Sequence, residues 1–91
     1  WSKAMIKITE DIKIEENPNT GGYCCDFCIN NKKFYADVSN VMFSGPECMI
    51  FRYNEDDKID WSGIYTNRDV EVTKESLMDC IIEFAEEEYR L

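Results

Sequence analysis

A chain of 91 residues suits a single domain, because a chain of this size buries little more than about 60% of its unfolded surface, and no second domain is expected within it. An apolar share of 44% and an aromatic share of 13% place it outside the compositions that stay disordered. Nineteen acids against ten bases give a net charge of −9, which disfavours phosphate backbones and anionic membranes as ligands and favours a cationic partner.

No apolar run approaches the roughly 18 residues of a membrane span, and no basic-then-apolar signal segment opens the chain, so a cytoplasmic protein is expected. Trp1-Ser2-Lys3-Ala4 precedes Met5 and reads as a cloning remnant on a domain that otherwise covers residues 1–91. Five cysteines cannot all pair within one chain, and reduced thiols are expected.

From residue 4 to 14 the even positions are Ala4, Ile6, Ile8, Glu10, Ile12 and Ile14, while the odd ones are mostly polar. A period of two predicts a half-buried strand, bent or divided at Glu10-Asp11. Residues 16–22, with Pro18, Asn19, Gly21 and Gly22, read as a turn.

Residues 23–29 and 32–38 flank Asn30-Asn31, and Asn tolerates the left-handed backbone of a two-residue hairpin turn. That loop pairs Phe27 with Phe34, Cys25 with Ala36 and Tyr23 with Val38 on one face. Cys24, Asp26, Cys28, Lys33, Tyr35 and Asp37 fall on the other, and a slip of one residue would mix the two sets.

Ser44-Gly45-Pro46 predicts another turn, followed by strands over 48–53 and 59–66 around the acidic segment 54–58. A loop of three or five residues aligns Met49, Phe51 and Tyr53 with Ile59, Trp61 and Gly63. On the three-residue loop Arg52 opposes Asp60 on the solvent side.

The period then changes. Thr73 is a helix cap with Glu75 in the first turn, and Leu77, Cys80, Ile81, Phe84 and Ala85 recur at three and four residues. A helix over 74–89 is therefore predicted to lay its apolar stripe on the sheet. The expected fold is α+β, a four- or five-stranded, mainly antiparallel sheet with one C-terminal helix packed on one face.

Histidine is absent, which removes Cys-His and Ser-His-Asp catalysis and every His-containing metal site, so no enzyme and no cofactor are expected. The single Cys-x-x-Cys, Cys25 to Cys28, lacks a second close pair. Cys24, Cys25, Cys28, Cys48 and Cys80 would be the ligands if zinc were bound, but the strand pattern sends Cys25 and Cys28 to opposite faces. The acidic loop lacks the glycine of a calcium-binding EF-hand, Ile59 standing in its place. Asp79, Glu83, Glu86 and Glu87 lie on the polar side of the helix. Glu86-Glu87-Glu88 crowd its C-terminal turn, where they oppose the helix dipole and Arg90 is the nearest cation in sequence.

At Cys48-Met49-Ile50-Phe51, the acidic turn, Asp60-Trp61-Ser62 and the short acidic helix, the chain resembles small acidic proteins of phages and mobile elements, anti-CRISPR inhibitors among them. The resemblance implies a stoichiometric inhibitor that mimics nucleic acid and occupies a basic groove of a nucleic-acid-handling enzyme. Glu55, Asp56, Asp57, Asp60, Asp79, Glu83, Glu86 and Glu87 would supply the charges, with Tyr35 and Tyr65 as aromatic anchors. The alternatives are a structural zinc module built on the cysteines and a homodimeric interaction domain joined through a sheet edge or the outer cysteines.

Overall fold

A computed structural model describes residues 12–88. Five strands run in chain order across one sheet: β1 (Glu15–Glu16), β2 (Tyr23–Ile29), β3 (Lys32–Val41), β4 (Gly45–Tyr53) and β5 (Ile59–Asn67). Every neighbouring pair is antiparallel, and helix α1 (Lys74–Glu88) packs across β2, β3 and β4. The α+β expectation holds, with the larger of the two strand counts.

The β2–β3 hairpin has the register that apolar patterning selects, with Tyr23, Cys25 and Phe27 opposite Val38, Ala36 and Phe34. Asn30 and Asn31 both take positive φ, 50° and 70°, the backbone of a tight turn whose twist matches its strands. On α1, Leu77, Cys80, Ile81, Phe84 and Ala85 are all buried, and Thr73 caps the helix, its Oγ1 accepting from the Ser76 amide at 3.0 Å. Phe84 meets Phe27, Phe34 and Tyr65 edge-on, with centroids 6.3, 5.2 and 5.9 Å apart. Burying each such side chain contributes about 1.5–3 kcal/mol, so this cluster and Ile29, Ile50 and Ile81 supply much of the stability.

Three expectations need correction. Of the strand expected over 4–14, residues up to 11 lie outside the described part. Ile12 and Ile14 pack against the core without pairing, and β1 is confined to Glu15–Glu16. The second turn sits at 42–44 rather than at Ser44-Gly45-Pro46, because β3 and β4 pair as far as Val41 and Gly45. Pro46 is tolerated there since β5 ends its pairing at Cys48, leaving that end of β4 with one neighbour.

The third correction changes which face of β4 is buried. Pairing with β3 sets Cys48 beside Val38 and Ile50 beside Ala36, so the even positions meet α1, while Met49, Phe51 and Tyr53 stand on the opposite face. Arg52 does oppose Asp60, but from the helix-bearing side, where it shares a cavity with Glu88. The expected alignment of β4 with β5 survives only at Tyr53–Ile59. Beyond a bulge, Met49 pairs with Thr66, and Phe51 alone stands opposite residues 61–64. Gly63 makes this bulge possible: its φ is 70°, and an added Cβ would lie 3.1 Å from the Met49 methyl.

Candidate functional site

Four carboxylates gather along one flank of α1. Asp79 and Glu83 are one turn apart on that flank, and the segment between β5 and Thr73 brings Asp69 and Glu71 to the same place. The four carboxylates border an open cavity of about 420 Å³, and among the described residues no Lys or Arg lines it. Tyr65 donates to Glu83 Oε1 at 2.6 Å, and burial, with this bond second, pushes its phenol above the ordinary range. Asp79 and Glu83 were legible as helix acids, whereas Asp69 and Glu71 carried no periodic signal and are recruited by the path of the chain.

The 54–58 loop is built by Asn54, whose Oδ1 accepts from the amides of Asp56 (2.9 Å) and Lys58 (3.1 Å). Its acids are unequal. Asp57 pairs with Lys33 at 3.5 Å, and Asp60 accepts from the amide and hydroxyl of Ser62, which with Arg52 hold its carboxyl below the usual range. Glu55 and Asp56 point to solvent. Glu86 and Glu87 are exposed at the far end of α1, and Glu88 borders a cavity with Lys32, Lys33 and Arg52. The helix end thus meets cations that its own sequence does not supply, while Arg90 lies outside the described residues.

The two candidate aromatic anchors are on opposite faces. Tyr65 packs beneath α1, and Tyr35 belongs to the uncovered face of the sheet. There Tyr35, Phe51 and Trp61 form a second aromatic cluster: Tyr35 and Phe51 stack at 6.2 Å, and Trp61 stands edge-on to them at 6.0 and 5.0 Å. Beside it lie Asp37 and the buried Glu47, the first bonded to Asn17 and Ser39, the second to Arg68 at 2.8 Å. These groups line a cavity of about 270 Å³. Burial, a bond with Cys24 and the nearby carboxylates raise the Tyr35 phenol. This cluster was not foreseen, although the alternation of Met49, Phe51 and Tyr53 was its visible trace.

No family model, curated protein or solved structure matches the chain.

Cys25, Cys48 and Cys80 are buried in the core, whereas Cys24 and Cys28 are half-buried on the uncovered face. Among the described residues no three His, Cys, Asp or Glu side chains are grouped to hold a metal ion, and no helix is long and apolar enough to cross a membrane.

Proposed function

We propose that the protein is a stoichiometric binding protein that engages a basic surface of its partner, acting as an inhibitor that fills a groove made for nucleic acid. The observation that carries this reading is the convergence of Asp69, Glu71, Asp79 and Glu83 on one open cavity that no cation among the described residues lines. Like charges held together raise the local potential and cost stability, an arrangement relieved when a partner presents Lys or Arg. Glu86 and Glu87 extend the same sign along α1, and Glu55 and Asp56 present it at the loop. The loop's remaining acids are partly neutralised within the fold, so the helix flank is the principal contact.

Affinity capture from lysate at graded salt, with the partners identified, tests this reading. The expected outcome is a basic, nucleic-acid-binding partner that the D69N/E71Q/D79N/E83Q variant fails to retain. A tight complex of the pure protein with bare DNA or RNA, or a partner held equally by that variant, would overturn it.

A further inference from the structure

The geometry points to the 270 Å³ cavity on the uncovered sheet face as a receptor for one arginine side chain of the partner, stacked on Trp61 and hydrogen-bonded to Asp37. This inference rests on the reading of a basic partner and gives it an anchor distinct from the helix flank.

Four features of the cavity select that occupant. Its walls carry three aromatic rings, of which Trp61, edge-on to Tyr35 and Phe51, is 67% exposed. A cation over such a ring is attracted by the quadrupole, and guanidinium, planar and weakly hydrated, stacks better than ammonium. Asp37 lies at the same cavity with only neutral partners, the Asn17 amide at 2.7 Å and the Ser39 hydroxyl at 2.9 Å, so its charge is oriented but unopposed among the described residues. Among the described residues the charged groups lining the cavity are the acids Asp37 and Glu47, with no Lys or Arg, which disfavours an anionic ligand. Its volume falls below the roughly 300–1,000 Å³ of small-molecule sites and suits a single side chain.

The surroundings indicate that the cation arrives on a protein. Val41 borders the cavity, and the turn that follows exposes Met42 by 79% and Phe43 completely. Phe43 is also held at a φ of 72°, a left-handed backbone that a bulky side chain rarely adopts. An apolar rim beside a pocket with an aromatic anchor is the anatomy of a protein interface, where a desolvated centre takes one anchor residue and the rim excludes water.

The test uses the whole chain and a capped Gly-Gly-Arg-Gly-Gly peptide, followed through the Trp61 indole and Asn17 side-chain amide resonances. The same peptide with citrulline replaces the cation by a neutral group of similar shape. Saturable shifts at both resonances with arginine, lost with citrulline, are expected. Trp61→Ala, at an exposed position, is expected to weaken binding roughly two- to thirtyfold. Asp37→Asn, which keeps the shape and removes the charge, is expected to weaken it as well. Equal binding of the citrulline peptide, or shifts that map to Asp79 and Glu83 instead, would overturn the inference. Capture of a basic partner without arginine-specific shifts removes the pocket and leaves the binding reading standing. Arginine-specific shifts without any basic partner keep the pocket and remove that reading.

Discussion

Asn17 and Asp37 are joined across the end of the sheet by a 2.7 Å hydrogen bond, the side-chain amide donating to Oδ2. The other end of the same amide accepts from the Asn19 backbone at 3.0 Å, and the Asn17 carbonyl accepts from the amides of Thr20 and Gly21. One buried side chain therefore shapes the turn before β2 and fastens it to the aromatic face. Asn17→Ala removes the side-chain bonds to Asp37 and to the Asn19 amide while the backbone bonds of the turn remain, and a loss of about 1–3 kcal/mol is expected from urea unfolding. Asn19→Ala, at an exposed position of the same turn, should change stability by less than about 0.5 kcal/mol.

Phe43 combines full exposure with a left-handed backbone, so no packing among the described residues favours a phenylalanine there. Phe43→Gly removes a conformational cost of about 1–2 kcal/mol and should raise the urea midpoint, set against glycine's greater unfolded-state entropy. The same variant should weaken retention of the partner, because the apolar rim is lost. Unchanged retention would place the turn outside the interface.

Those two sites also mark the limit of what could be read from the chain. The β2–β3 hairpin was legible down to its register because only one face of each strand is apolar and Asn30-Asn31 suits the turn. The helix was legible because its stripe and the Thr73 cap agree. β4 was not, since Cys48 and Ile50 alternate with Met49, Phe51 and Tyr53, and a strand apolar on both faces does not say which one meets the helix. Pairing with β3 decides it, and that is a long-range fact. The bulge opposite Phe51 had only Gly63 as a local trace, and Asp69 and Glu71 enter the acidic cavity through tertiary placement alone.

Alkaline pH should destabilise the fold. Burial pushes the Cys25 thiol up to about 12, and the phenols of Tyr35, Tyr53 and Tyr65 are also raised, chiefly by burial. A raised value means that the neutral form is favoured in the folded state. That contribution is fully present below the ordinary thiol and phenol values and is lost as pH climbs through the folded ones. The urea midpoint should begin to fall above a pH of about 9 and continue downward to about 12, with Cys25→Ala making the fall shallower. A midpoint that rises across this window would contradict the assignment.

Thiol labelling should divide the cysteines by face. Cys24 and Cys28, half-buried on the uncovered sheet face, should react with a disulfide reagent in the native protein, while Cys25, Cys48 and Cys80 wait for unfolding. Mass spectrometry of the labelled peptides distinguishes the two groups. Labelling of Cys48 or Cys80 at the rate of Cys24 would show that α1 opens from the sheet.

Binding of a basic partner by Asp69, Glu71, Asp79 and Glu83 is tested most directly by the salt dependence of the affinity. For the captured partner, the dissociation constant of the intact protein should rise steeply as ionic strength goes from about 0.05 to about 0.5 M. For the D69N/E71Q/D79N/E83Q variant it should be weaker at low salt and nearly flat. Equal affinity and equal salt slope for the two proteins would contradict the claim.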